Sequence, residues 1–303
     1  MKSKFNNKSI KRNIKRNLPG YLLLAPATIA VLALSIYPMI RGICLSFVNY
    51  NLVRAREATF NTFAGLENYL KIFSNDIFLK SLGNTVKWTL VNLIVQLVVA
   101  ILLALALNQK LKGRSAFRIM TLVPWAIPPY IAVMTFTFLY SAQVGILNIL
   151  AVRSGLMAEA VSWLGNIGSA FWCIVILSVW KGMPFQMIFI LTALQGIPEE
   201  VYESAKIDGG SSWQIFWRIT LPMIKEPLML TTVLNVIGIL SSFYPWMMTE
   251  GGPLYSTETI YTFAYRQAFV NNDFGTASAS AVILFIFTTL LTGIYLRIIR
   301  EKD

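Results

Sequence analysis

The residues of this chain that could do chemistry are sparse, and their types point to binding rather than bond-making. The 303 residues include no histidine and only two cysteines, Cys44 and Cys173, which lie in or at the end of apolar runs. Imidazole catalysis and imidazole metal ligation are excluded, and the cysteines suggest neither a disulfide framework nor a metal site. No glycine-rich run ending in Gly-Lys-Ser/Thr is present, so the chain cannot cradle nucleotide phosphates in the Walker manner. An intramembrane enzyme needs a catalytic pair at depth, such as two aspartates or a serine with a base. The apolar runs hold neither histidine nor aspartate. What remains is hydrogen-bonding chemistry. Ser178, Lys181, Gly182 and Phe185 recur at i, i+3, i+4 and i+7, which places them on one helical face. Asn235, Ser241, Ser242 and Tyr244 supply polar groups in a later run, where Trp246 adds an aromatic ring. A third cluster, VYESAKIDGGSSWQIFWRITLP at 201–222, is a polar interruption in an otherwise apolar protein.

The elements that must position these residues are membrane spans. The chain is 56% hydrophobic and only 13% charged, where a soluble domain carries about 25% charged residues. A bilayer span needs roughly 20 apolar residues. Six runs qualify, at about 20–47, 83–108, 117–141, 169–194, 227–248 and 278–299. The predicted class is all-α and polytopic, with a basic N-terminal arm at 1–17 and a six-helix membrane domain at 18–303. The arm is expected to be flexible or interfacial. The net charge of +12 could mean nucleic acid or a membrane, and its distribution favours the membrane. Seven Lys and Arg precede span 1, four lie between spans 2 and 3, three between spans 4 and 5, and three end the chain. The opposite side, counting Arg41 and Lys87 near the ends of spans 1 and 2, holds eight. The positive-inside rule then places both termini and the 195–226 loop in the cytoplasm. The first run is too long for a secretory signal and lacks a small-residue cleavage site, so an uncleaved span is expected.

Within the spans, span 2 is rich in Leu and Val and has little polar content beyond Asn92 and Gln96, so most of it is expected to face lipid or partner helices. Span 3 contains Pro124, Pro128 and Pro129. Such breaks are tolerated at membrane depth when packed in protein or facing a water-filled cavity, so span 3 either lines a pathway or is simply kinked. Outside the spans, FAGLENYLKIF suggests a short amphipathic helix, and Gly251, Gly252 and Pro253 are turn chemistry.

The 195–226 loop reads as helix–turn–helix. Glu199, Glu203 and Lys206 share one helical face, and Val201, Ser204 and Ala205 another. Gly209-Gly210 breaks this helix as a flexible joint. Ser211 with Gln214 is a capping box opening a second short helix. On it Trp213, Phe216 and Trp217 fall at i, i+3 and i+4, opposite Gln214 and Arg218. Pro222 suits the first turn of span 5. Helices this short need a partner surface. The aromatic face either packs on the chain's own spans, lies among lipid headgroups, or docks another protein.

The spacing Glu203-x-Ala205-x-x-x-Gly209, nine residues, Ile219-x-Leu221-Pro222 resembles the EAA loop of binding-protein-dependent ABC importer permeases. One departure is Ser204, which stands where the pattern has its first Ala. The run WKGMPFQMIFILTALQGIPEEVYESAKIDG resembles the carbohydrate-uptake, or maltose-type, branch. So do YLLLAPA with IYPMI in span 1, FAGLENY with LGNTVKWT before span 2, GILN after span 3, and TEGGPLYSTETIYTFAYRQAF. Together these pieces cover almost everything from residue 19 on.

The resemblance implies a six-helix permease core that works by alternating access. It implies a second permease subunit, generally a different chain, two cytoplasmic ATPase subunits, and an extracytoplasmic solute-binding protein. No cofactor is expected on this chain; ATP and Mg belong to the ATPases. The implied coupling residues are Glu203, Ser204, Ala205, Asp208, Gly209, Trp213, Phe216, Trp217 and Pro222, with Glu203 as polar anchor and Gly209 as hinge. The implied substrate pathway holds Ser178, Lys181, Gly182, Phe185, Asn235, Ser241, Ser242 and Tyr244. Lys181 could favour an acidic saccharide or serve a structural role. The expected cargo is a sugar or oligosaccharide, with glycerol-phosphate or an amino acid as the alternative within the same class.

Overall fold

The computed structural model describes residues 7–58, 60–109 and 112–300. Among these residues five helices are long and apolar enough to cross a membrane, or six if one bent pair is a single span. The bent pair is Arg114–Ala126 and Pro129–Leu139, which meet at 93°. It does cross. Near its start the Arg118 guanidinium donates to the Leu107 carbonyl (3.3 Å), at the far end of span 2. Past its end the Tyr140 hydroxyl donates to the Cys173 carbonyl (3.4 Å), close to the start of span 4. Span 3 therefore passes from one end of the bundle to the other in two segments.

The prolines explain the break. In a continuous helix the N–H groups of residues 128 and 129 would bond the carbonyls of 124 and 125. Pro128 and Pro129 have no N–H, and Pro129 instead sits in the first turn of the second segment.

The centre of the bundle is span 4, Ile167–Gln195, the most buried of the spans. Span 2, Asp76–Asn108, lies along it. It starts before the expected residue 83 because Asn75 caps it, accepting from the N–H groups of Ile77 and Phe78. As expected, most of span 2 is left for lipid or partner helices, only 28% of its most apolar window being buried within the chain, and the buried part is one stripe. Ser81, Thr85, Trp88, Thr89, Asn92, Gln96, Ala100, Ala104 and Leu107 form a buried stripe at i, i+3 and i+4 spacing. Small residues in that stripe let the two backbones approach, and its hydroxyls return to their own helix carbonyls.

Span 5 is also broken. Lys225–Leu240 ends at Ser241, and helix resumes at Tyr244–Thr249 with Pro245 in its first turn. Pro245 cannot donate to the Ser241 carbonyl, so the helix opens there. The span expected at 227–248 is present as Lys225–Thr249, with this break inside it. Span 1 runs as Asn7–Val31, a wide turn at Leu32–Ile36 and Tyr37–Leu45. The N-terminal arm, expected as a separate flexible element, is helical from Asn7 and continuous with this span. Its Lys and Arg residues are good helix formers. Residues 1–6 of the arm lie outside the described residues. Only the Tyr37–Leu45 part of span 1 packs closely, against span 6, Phe274–Arg300.

Two ends of the bundle are distinct. At one end the loops before spans 2 and 6 clasp each other. Strands Val48–Asn49 and Thr62–Phe63 pair, and Asn51 bridges to Asp273. Lys71, on the expected short helix Glu67–Phe73, pairs with Asp273. Asn84 donates to the carbonyls of Tyr255 (3.0 Å) and Glu258 (2.9 Å). The turn at 250–255 folds around a buried carboxylate, Glu258, which is held by Arg266 at 2.9 Å. A side chain on Gly251 would meet that carboxylate at 1.7 Å, and the residue has φ +80°. Asn148 of the GILN segment binds the next loop through Val161 and Trp163, closing the connection to span 4. The opposite end holds the short turn after span 2 and the 195–226 loop.

Candidate functional site

Two sites emerge, one at mid-depth and one at the loop end. The first is a cavity of about 300 Å³ where both broken spans meet spans 2 and 4. Ser178, Lys181 and Gly182 reach it from the middle of span 4. Asn235 comes from span 5, and Ser242 and Tyr244 come from its break. Those six were expected from sequence, and tertiary structure brings them together. Two expected residues are absent from the lining. Phe185 stacks with Phe189 (centroids 4.9 Å apart), one turn too far along span 4. Ser241 is exposed, and its hydroxyl returns to the Ile237 carbonyl at 2.7 Å. Trp246 also lies elsewhere, beneath the Arg266 guanidinium at 4.8 Å.

Five further lining residues escaped the sequence reading: Gln96, Trp125, Pro129, Gly238 and Ile239. The signal for Gln96 existed, since an amide inside a Leu/Val run is costly unless it faces protein or a cavity. The prolines had marked span 3, which supplies Trp125 and Pro129, as either a pathway wall or a kink; no local pattern marks Gly238 and Ile239.

Lys181 spans the cavity wall to the break in span 3. Its ammonium donates to the carbonyls of Pro124 (2.8 Å), Trp125 (3.2 Å) and Ile127. Two of these are the carbonyls that Pro128 and Pro129 deprive of partners. An ammonium has three hydrogens, and three carbonyls receive them. The charge at depth is thus solvated by the backbone defect that the prolines create.

Gln96 is turned the other way. Its Nε2 faces the Ser178 carbonyl (3.3 Å) and the Asn92 Oδ1 (3.4 Å), while its Oε1 has no partner. A side chain on Gly182 would sit 2.3 Å from that oxygen, so glycine makes the room it occupies. Asn235 Nδ2 and Ser242 Oγ are likewise buried without partners. One acceptor, one amide donor and one hydroxyl without partners therefore belong to residues of the cavity wall, which Trp125 and Tyr244 also line.

The second site is the loop. Helix Glu199–Ile207 ends in a Schellman motif: Gly210 N–H bonds the Ala205 carbonyl and Gly209 N–H bonds that of Lys206, each at 3.0 Å. Gly209 takes φ +77°. The joint expected to be flexible is a corner closed by two hydrogen bonds. Ser211 and Gln214 form the expected capping box. The helix they open, Ser212–Ile215, widens into a π turn at Phe216–Thr220. Pro222 accounts for this, since it cannot donate to the Arg218 carbonyl. Pro222 begins the short turn Leu221–Met223, not span 5 itself, which starts at Lys225 after a break at Ile224.

Burial divides the loop differently from the expected faces. Ala205 and Ile215 are buried, while Ser204 is exposed with Glu203, Asp208 and Gly209. Trp213 is 71% exposed and Trp217 49%, stacked edge-on at 5.4 Å, and Ile207 is 86% exposed. Phe216 is half-buried against Trp217. Within this chain, then, the two tryptophans do not find a covering surface. Ile207 was missed because its flanking residues are charged and the helical pattern assigned it no apolar face.

Comparison with known proteins bears on both sites. Residues 96–302 match the family described as "Binding-protein-dependent transport system inner membrane component". The trehalose/maltose transport system permease protein MalF of Thermococcus litoralis is 34% identical over 301 residues, covering 98% of this chain and 99% of that protein. The sulfoquinovosyl glycerol transport system permease protein SmoG of Agrobacterium fabrum is 35% identical, covering 94% of this chain and 92% of its own. Among solved structures, a bacterial ABC transporter involved in the import of the acidic polysaccharide alginate shares the fold. Its TM-score is 0.83 at 23% identity, covering 97% of this chain and 99% of that one.

Proposed function

This chain belongs to the family of binding-protein-dependent transport system inner membrane components, and on that premise we propose that it is the sugar-conducting permease subunit of an ATP-driven importer. It is a multi-pass membrane protein and a transporter subunit rather than an enzyme. Its cargo is a sugar or oligosaccharide, handed over by an extracytoplasmic binding protein and released to the cytoplasm by alternating access. The end-to-end relationship to a trehalose/maltose permease supports this cargo class.

The observation that carries the reading is the mid-depth cavity. Irregular backbone at that depth is expected where it is buried in protein or lines a water-filled space, and broken helices around a central site are a transporter device. Here two spans break at the same cavity, and the unpaired polar groups of Gln96, Asn235 and Ser242 cluster there. Aromatic rings with hydroxyl and amide groups suit a sugar.

The loop is the drive joint. Ile207, Trp213 and Trp217 form the apolar part of a surface whose polar rim is Glu203, Ser204 and Asp208. A short helix seated in a groove of an ATPase subunit would cover it. Val201 and Tyr202 pack the loop against the core of spans 2 and 4, Ala205 is buried and Phe216 half-buried behind the exposed surface, and Pro222 lies where the loop hands over to span 5. ATP and Mg bind on two ATPase partners, and a second permease chain completes the pore. The excess of Lys and Arg in alternate loops supports a bacterial-type inner membrane location with both termini and this loop cytoplasmic.

The test is coupling. Gly209→Pro cannot adopt a positive φ, and Glu203→Lys reverses the charge at the rim. Both variants should insert in normal amount yet lose sugar uptake while the ATPase still turns over. Uptake at the wild-type rate in both would overturn the proposal.

A further inference from the structure

We infer that the mid-depth cavity is built for a neutral, hydroxyl-rich cargo rather than an acidic one, and that Gln96 is a residue that selects it. The inference rests on the proposal that this cavity is the cargo site. Among the described residues, the cavity lining carries a single formal charge, Lys181. An acidic cargo needs hydrogen-bond donors aimed at its oxygens. The Lys181 ammonium has none to spare, because its hydrogens go to the carbonyls of Pro124, Trp125 and Ile127. Turning it toward a cargo would strand buried carbonyls that the prolines have already left without backbone donors, which is costly. Lys181 is thus a brace for the break in span 3, and the prolines that create the break also occupy the charge.

The groups left free describe the cargo. Gln96 is 1% exposed, and its orientation is set by its neighbours. A flipped amide would place Oε1 against the Ser178 carbonyl and the Asn92 Oδ1, and Asn92 is itself oriented by donating to the Trp88 carbonyl at 2.9 Å. Oε1 therefore sits in the cavity wall beside Gly182, an acceptor with nothing to accept. Asn235 Nδ2 is a donor with nothing to receive it, and Ser242 Oγ can do either. A sugar hydroxyl both donates and accepts, so it can satisfy each member of this set. A carboxylate or phosphate only accepts, and against Gln96 Oε1 it would set oxygen against oxygen. A site built to bond a hydroxyl discriminates strongly because its own buried groups stay unpaired when the wrong cargo enters.

The experiment uses the assembled transporter, purified through a tag on this chain and trapped with ADP and vanadate. Direct binding is measured for labelled neutral disaccharides (maltose, trehalose, cellobiose and diacetylchitobiose), for digalacturonate, and for methionine and glycerol-phosphate. At least one neutral disaccharide should bind, and digalacturonate should bind more weakly than it. Gln96→Met should lower neutral-sugar affinity by roughly three- to tenfold, the worth of one buried hydrogen bond. Gly182→Ala, which must displace the same oxygen, should act in the same direction. Lys181→Gln should leave the neutral-to-acidic ratio unchanged. Copurification of the ATPase in wild-type amount shows that each variant is assembled. Tighter binding of digalacturonate, lost in Lys181→Gln, overturns the inference and leaves the sugar-importer reading standing. Binding of methionine or glycerol-phosphate alone, or of none of the probes, overturns that reading as well. Wild-type sugar binding by assembled Gln96→Met and Gly182→Ala overturns the role of Gln96.

Discussion

Lys181 carries two readings from sequence, a cargo contact or a structural role, and its contacts in the structure favour the second. A charge at bilayer depth is expensive, about 2.5–3.5 kcal/mol on insertion scales, and cargo recognition is one way to justify it. The structure supplies another: two prolines leave carbonyls bare, and the ammonium covers them. The effect is testable by truncation. Lys181→Met keeps the length of the stem but leaves buried carbonyls unbonded, at a cost of about 1–3 kcal/mol. The detergent-solubilised protein should melt lower, and the loss should shrink in a Pro128→Ala, Pro129→Ala background that returns two backbone donors. An undiminished loss in that background would separate Lys181 from the proline break. Gly251 gives a second residue-scale expectation. A β-carbon there collides with the Glu258 carboxylate and demands a strained φ, so Gly251→Ala should destabilise the 250–258 turn. Limited proteolysis at that turn reads the effect.

At the scale of elements, the clasp between the loops before spans 2 and 6 is electrostatic and should respond to acid. Burial by itself raises the Asp273 carboxyl, but hydrogen bonds from Lys71 and from the Thr276 N–H and hydroxyl outweigh it and hold it below the usual carboxylate range. A group whose pKa is depressed by folding contributes stability that is present above its unfolded value, about 3.9, and lost as pH falls through the folded value. Hydrogen exchange in 46–75 and 249–276 should therefore stay slow at pH 5 and 7 and quicken in strong acid. In Asp273→Asn exchange should already be faster at neutral pH and lose its acid dependence. The loop end behaves differently, because its geometry comes from a Schellman corner and a capping box rather than from charge. Both motifs were legible locally, from Gly209-Gly210 and from Ser211 with Gln214. The π turn before Pro222 was not, since its register depends on which carbonyls the proline leaves free.

For the whole molecule, the exposed Ile207, Trp213 and Trp217 mean that the subunit is incomplete alone. Exposed aromatic clusters of this kind mark interaction sites. Trp213→Ser with Trp217→Ser should leave the membrane-inserted chain intact, because neither ring is buried in it, yet sharply reduce ATPase copurification. Retention of the ATPase at wild-type stoichiometry would place the joint elsewhere. Span 1 makes a related point. None of its most apolar stretch is buried within this chain, so its outer surface belongs to lipid or to another subunit.

By itself the sequence determined the class. Six apolar runs and the distribution of basic residues mark a multi-pass membrane protein, and the spacing from Glu203 to Pro222 resembles that of importer permeases. These are local properties, set by run length and by residues within one or two helical turns. It also marked where spans 3 and 5 could break, because proline removes a donor wherever it stands. Only the tertiary structure decided what those breaks do. Gln96 and Gly182 are 86 positions apart, and so are neighbours only because spans 2 and 4 pack along their length. The same packing excluded Phe185 and Ser241 from the cavity, since a helical face is broader than the part of it that a neighbour leaves open. Which of several polar residues stay unpaired depends on the partners brought to them by distant segments.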